Sequence, residues 1–202
     1  GRFGRKAFLP ALKEFNEGAF QIEQGITTPA QSDEGTIGGD PIPPGVDPTP
    51  EPELPQEDVH LANDFVRFLA PPPFGSGHGV GRGEAIFHRI GCASCHVPTL
   101  KTGPSDVPAL RNKRVTAYTD LLLHDMGPDL ADICLGLATP SEFRTEPLMG
   151  LGLREHFLHD GRASNVEEAV RLHAGEAAGA RDRFGALPAE ERHMLLKFLA
   201  SL

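Results

Sequence analysis

Gly91-Cys92-Ala93-Ser94-Cys95-His96 constrains this chain more than any other stretch. Its C-x-x-C-H spacing is that of a c-type haem attachment site. Each cysteine sulfur can form a thioether to a haem vinyl group, and the adjacent histidine can present an imidazole nitrogen to the iron. A structural zinc site needs a second ligand pair at short spacing, and the chain has none after His96. A redox dithiol of the thioredoxin kind needs a preceding strand. The run Gly83 to Ile90 instead places Ile86, Phe87 and Ile90 on one side of a helix.

A chain of 202 residues can form one large or two small domains with a real core. Its formal charge of −9, which two haem propionates would deepen, disfavours nucleic acid and favours a basic redox protein partner. No apolar run reaches membrane-spanning length. Haem c is attached outside the bacterial cytoplasm, so a periplasmic or extracellular location is expected. No signal peptide opens the chain, which points to a processed or partial product. Cys134 has no partner for an internal disulfide and is expected to be a small buried apolar residue.

Taken in order, Phe8, Leu12, Phe15 and Ala19 recur at helical spacing, which predicts a helix over 8–20. Residues 29–56 are rich in Pro, Gly and acids and should run over the surface. A second helix is expected over 56–70, with Leu61, Phe65, Phe68 and Leu69 inward, stopped by Pro71-Pro72-Pro73. A Gly-rich entry, Gly75 to Gly83, precedes the haem helix. The chain then reads as loop through Lys113, and the apolar segment Tyr118 to Gly127 as a short helix. A helix over about 165–174 carries a capping-box spacing, Ser164 to Glu167, with Gly175 at its end. The last helix starts at Pro188 and bears Leu195, Phe198, Leu199 and Leu202 on one stripe. The class is mainly α.

One recurrence bears on domain organisation. Pro55-Gln56-Glu57-Asp58-Val59-His60 resembles Pro188-Ala189-Glu190-Glu191-Arg192-His193, and each opens a helix with aromatic and Leu residues on one face. Upstream, Gly4-Arg5 leads into an amphipathic helix, as Gly161-Arg162 does. A recurrence in fixed order suggests duplicated units, although helix-capping sequences also look alike. On the first reading, residues 1–73 are the C-terminal tail of a first haem domain, with the surface loop 29–56. Residues 74–202 are then a complete cytochrome c-like helical haem domain, and the first domain's own C-x-x-C-H lies upstream of Gly1.

Several segments resemble the bacterial di-haem cytochrome c peroxidase and MauG superfamily, closest to its di-haem oxidoreductase branch, also called the thiol oxidoreductase branch. They are Ile90 to Leu100 around the C-x-x-C-H, Tyr118 to Leu130, Phe143 to Gly152, Leu158 to Ala163 and Glu167 to Ala177. Gly1 to Thr28 also look like that branch. The resemblance implies a haem c and an oxidoreductase with two haem sites, of which this chain shows one. It also implies a second haem, on an N-terminal domain or a second chain, and allows a calcium ion. Asp125 and Asp129 lie near the region for that ion, without a dedicated calcium loop.

The sixth iron ligand is read from the same segments. Met126, Met149, Met194, His124, His156, His159, His173 and His193 all lie beyond His96. His173 occupies the position at the end of the Glu-Ala-Val helix where relatives carry an axial Met or Tyr, so His96 and His173 are the expected iron ligands. His124 or a methionine is the alternative. Arg144 and Arg162, also at family positions, are expected to pair with haem propionates, since a guanidinium fork matches a carboxylate. Two functions remain open. One is the electron-transfer half of a di-haem peroxidase-like oxidoreductase, relaying electrons between a redox partner and a peroxide-activating haem. The other is a non-catalytic mono-haem cytochrome c.

Overall fold

Six α-helices and two short antiparallel strand pairs make up the regular structure among the described residues. The structure is a computed structural model and describes residues 1–36, 40–77 and 79–202. Residues 37–39, within the expected Pro- and Gly-rich loop, and His78, within the expected Gly-rich entry, lie outside them. The described chain is helix-rich but mixed, and it divides into two units. One comprises Gly1, Phe3 and Leu9–Ala70, the other Arg2, Gly4–Phe8 and Pro71–Leu202.

The first unit contains α1 (Leu12–Gln24) and α2 (Gln56–Arg67). Helix α1 starts four residues later than the spacing predicts. Pro10 disfavours helical backbone at Leu9, which leaves Phe8 outside. The helix ends on Gly25 at φ +70°, whose N–H returns to the Gln21 carbonyl. Asn16 donates to Asn63 at 2.8 Å, joining α1 to α2, and Val59 of α2 is fully buried. Thr27 and Glu53 exchange hydrogen bonds at 3.0 and 3.3 Å, which ties the chain entering α2 to the chain leaving α1. The expected inward face of α2 is instead exposed: Leu61 68%, Phe65 68%, Phe68 48% and Leu69 57%. Periodicity located an apolar stripe, but the packed face of α2 is the one carrying Val59 and Asn63.

The second unit is built on α3 (Val80–Arg89) crossing α6 (Ala189–Leu199). They meet at Gly83, where a Cβ would lie 2.3 Å from the Met194 carbonyl oxygen and 2.4 Å from Phe198 Cβ. Only glycine permits that approach. The core around the crossing joins Ile86, Phe87 and Ile90 of the α3 region to Leu195, Phe198, Leu199 and Leu202. Phe87, Tyr118 and Phe198 pack edge-on with centroids 5.5–5.8 Å apart, a favoured aromatic geometry. The α6 stripe is thus buried as its spacing predicts.

Strands β1 (Leu100–Lys101) and β2 (Arg114–Val115) close the loop after His96. Strands β3 (Leu123–Asp125) and β4 (Glu142–Arg144) pair His124 with Phe143. Residues 118–127 are therefore not helical. Tyr118 and Leu121 adopt φ +52° and +61°, and the Thr119 and Asp120 side chains take the N–H groups of Leu121 and Leu122. Such side-chain bonds compete with helix formation. Helix α4 (Val166–Leu172) is capped by Asn165, which accepts the Glu168 N–H, while Glu168 accepts from Ser164. The capping residue is thus Asn165 rather than Ser164, and the reaching carboxylate is Glu168 rather than Glu167. Helix α5 (Ala178–Gly185) has no counterpart in the sequence expectations. Its apolar anchor is the buried Phe184, amid Ala, Gly and Arg.

Residues Gly4–Phe8 belong to this second unit and carry a buried lysine. Lys6 is 1% exposed. Its ammonium donates to the carbonyls of Thr139, Pro140 and Glu142 at 2.8–3.2 Å, pairs with Asp132 at 2.8 Å, and lies 3.6 Å above the Phe143 ring. A buried charge persists only when satisfied in this way. Cys134 is exposed rather than buried. It lies between Ile133 and Leu137, themselves 56% and 102% exposed.

Candidate haem site

A cavity of about 540 Å³ opens inside the second unit. Its floor is the C-x-x-C-H turn. Helix α3 runs into Gly91 at φ +91°, and Cys92–Ser94 form a single tight turn. A Cβ on Gly91 would fall 2.7 Å from Nη2 of Arg183, whose Nε donates to the Ile90 carbonyl at 2.8 Å. That arginine braces the turn from behind. Cys92, Cys95 and His96 all line the cavity. Burial pushes the Cys92 thiol up to about 11 and raises Cys95 as well.

Two histidines face the same space. His96 Nδ1 lies 3.0 Å from the Tyr118 carbonyl oxygen, and His173 Nδ1 lies 2.7 Å from that of Ala169. Each contact fixes the tautomer with Nδ1–H as donor and leaves Nε2 as a lone pair, the arrangement metal-binding histidines use. Desolvation dominates both titrations. It lowers His96 to about 4 against the opposing backbone bonds of Tyr118 and Glu146, and lowers His173 against the Ala169 bond. Both rings are therefore neutral at pH 7 and competent as ligands. His173 is the residue on which α4 ends, at φ −62° and ψ 125°.

The walls are largely apolar: Phe87, Leu148, Leu151, Val166, Ala169 and Val170 line them. The rim is basic. Arg144 reaches the cavity while donating to the Gly4 carbonyl and to Glu146. Arg5, Arg154 and Arg181 line it too. Arg162 does not. Its guanidinium is bound by Asp160 and the Asp129 carbonyl. The sequence signal missed Arg5, Arg154, Arg181 and Arg183, because nothing local marks an arginine that folding brings to the cavity.

Among the other candidate ligands, Met126, His124, His156 and His159 line the cavity, whereas Met149, Met194 and His193 do not. His124 has both ring nitrogens occupied, Nε2 by Asp120 at 2.9 Å and Nδ1 by Glu176 at 2.8 Å. Asp125 and Asp129 join no set of three ligating side chains among the described residues. The Asp125 carboxylate instead accepts the Gly127 N–H at 2.7 Å.

Paired thiols, two neutral imidazoles, apolar walls and a basic rim are the donor set a haem with two propionates fits. The comparisons agree in class. The family described as "Di-haem oxidoreductase, putative peroxidase" matches residues 1–202, and the chain belongs to that family. No curated protein matches the chain. Among solved structures, hydrazine synthase from Kuenenia stuttgartiensis is similar in fold, at a TM-score of 0.50 and 18% identity over 71% of this chain. This chain spans 55% of that chain's length. Among the described residues, no helix is long and apolar enough to cross a membrane.

Proposed function

We propose that the second unit is a cytochrome c-like domain holding one haem c, and that it serves as the electron-transfer half of a di-haem peroxidase-like oxidoreductase. Cys92 and Cys95 anchor the group, His96 and His173 ligate its iron, and Arg144, with Arg5 or Arg154, meets the propionates. The observation that carries this reading is the matched pair of histidines, each held at Nδ1 by a backbone carbonyl and both lining one cavity. His124, the chief competitor, has no free nitrogen. A bound haem supplies a reversible one-electron iron couple. Two imidazoles hold that couple at a lower potential than an imidazole and a thioether would. The chain's own contribution is to keep both rings neutral, exclude water with Phe87, Leu148 and Val170, and neutralise propionate charge at the rim.

On this reading the first unit is the tail of a first haem domain, whose haem activates peroxide. The chain acts outside the cytoplasm and exchanges electrons with a basic redox protein, in keeping with its −9 charge. The single C-x-x-C-H of the sequence supports a second reading, a mono-haem electron carrier. Covalent haem count by mass in the natural full-length protein separates them: two haems fit the first reading, one the second. The ligand assignment is tested by replacing His173 with Gly in haem-loaded protein. The ferric iron should move from low to high spin and bind added imidazole or cyanide. An unchanged low-spin spectrum would assign the sixth ligand elsewhere.

A further inference from the structure

We propose that Glu176, bridged through His124 to Asp120, is the positioning residue that holds His173 over the cavity. This rests on His173 being the sixth ligand. His173 leaves α4 at its last turn, so helix geometry no longer fixes its main chain. Apart from the Ala169 carbonyl, the structure gives its ring no hydrogen-bond partner among the described residues. The chain just beyond His173 is docked on β3. Gly175 stands at φ +52°, and a Cβ there would lie 2.2 Å from the Asp125 carbonyl oxygen and 2.8 Å from the Gly127 nitrogen. Backbone thus meets backbone two residues beyond the ligand. Glu176 then closes the junction with both carboxylate oxygens. Oε1 accepts the Asp125 N–H at 2.9 Å, and Oε2 meets His124 Nδ1 at 2.8 Å. His124 Nε2 reaches Asp120 at 2.9 Å, and Asp120 is itself fixed by the Leu122 N–H.

The bracket has a protonation requirement. With a carboxylate on each ring nitrogen, His124 can satisfy both only as an imidazolium, donating from Nδ1 and Nε2. Desolvation works against that charge, but the hydrogen bonds and charges of Glu176 and Asp120 outweigh it and raise the pKa of His124. On the elements packed around His124, the other groups that bear charge or titrate are Asp125 beside it, Glu142 and Arg144 on the paired strand, and the Cys95 sulfur, which thioether formation removes from titration. The imidazolium persists from acid pH up to its raised pKa. Above it, one N–H is lost, one carboxylate faces a ring lone pair, and the bracket loosens. The sixth ligand should then be released in an alkaline transition.

Haem-loaded protein carrying Glu176→Ala, Glu176→Gln, His124→Gln or His173→Gly provides the test, read by ferric spin state between pH 6 and 10. Glu176→Ala and His124→Gln should raise the five- to six-coordinate ratio by about tenfold or more at pH 7, the scale of one charge-assisted hydrogen bond. Glu176→Gln keeps an acceptor for the Asp125 N–H but removes the charge beside His124, so its alkaline transition should begin at lower pH than the wild type's. A merely structural role for Glu176 would not move that midpoint. If His173→Gly opens the iron while the Glu176 and His124 variants match wild type at every pH, the positioning role is wrong and the ligand assignment stands. If His173→Gly changes nothing, the ligand assignment fails and this proposal fails with it.

Discussion

Helices α2 and α6 open with nearly the same residues and end in opposite surroundings. Aligned from Pro55 and Pro188, Phe65 falls on Phe198, Val66 on Leu199 and Leu69 on Leu202. Phe198, Leu199 and Leu202 are 2%, 4% and 5% exposed, whereas Phe65, Val66 and Leu69 are 68%, 40% and 57% exposed. Val59, buried completely in α2, aligns with the polar Arg192 in α6. An amphipathic pattern therefore specifies a helix and a sticky stripe, but not whether that stripe is the buried one. The partner decides. In α6 it is α3, which approaches to backbone contact because Gly83 has no side chain. In the first unit no described helix plays the part of α3.

This contrast has measurable consequences, the largest at its aromatic centre. Phe198→Ala empties a site packed against Phe87 and Tyr118, so it should cost about 3–5 kcal/mol. Phe65→Ala removes a side chain already in water and should stay within about 0.5 kcal/mol. Because the chain forms two units, amide hydrogen exchange of the α3/α6 and α1/α2 amides reads each effect where it occurs. Equal losses at the two positions would mean that Phe65 is covered in solution and the contrast is lost.

The glycines sharpen the comparison at a smaller scale. Gly83→Ala forces a methyl into the Met194 carbonyl and should destabilise α3 and α6 by about 1–3 kcal/mol. Gly18→Ala, in α1, meets nothing within 4 Å and should stabilise that helix by about 0.5–1 kcal/mol. A stabilising Gly83→Ala, read by the same exchange experiment, would show that the α3–α6 crossing is looser than 2.3 Å implies.

The same physics explains what was legible in the sequence. The C-x-x-C-H, the helix before it and the buried stripe of α6 are local patterns whose partner lies in the same unit, so periodicity found them. His173, expected as a ligand from its place at the end of a capped helix and at a family position, lines the cavity with His96. The rest depended on distant partners. Residues 118–127 look helical by their leucines, but Thr119 and Asp120 take the local N–H groups and Glu142–Arg144 supplies a strand. Lys6 reads as a surface lysine until the carbonyls of residues 139–142 surround it. Arg144 and Arg162 look equivalent as haem-pairing arginines, yet only Arg144 lines the cavity, while Arg162 is bound to Asp160. Cys134 reads as buried only if its own side chain packs, and it does not.

The smallest expected effect concerns how the helices begin. Helix α4 starts on Asn165, whose side chain accepts the Glu168 N–H at 2.8 Å, while α1 starts on Ala11 with no side-chain cap. Ala11 nevertheless has the extended backbone a capping residue needs, φ −122° and ψ 145°. Its geometry is ready and only the acceptor oxygen is missing. Ala11→Ser should therefore stabilise α1 by about 0.5–1 kcal/mol, and Asn165→Ala should cost α4 about as much or somewhat more. The two changes also differ in reach. Helix α4 ends on His173, so fraying it from Asn165 should slightly raise the high-spin fraction of the loaded protein. Ala11→Ser should leave the spectrum untouched, because α1 contributes no residue to the cavity lining. Slower amide exchange in α1 with no spectral change, set against faster exchange in α4 with a small spectral change, is the expected pair of results. A spectral response to Ala11→Ser would mean that a change at the start of α1 reaches the loaded cavity.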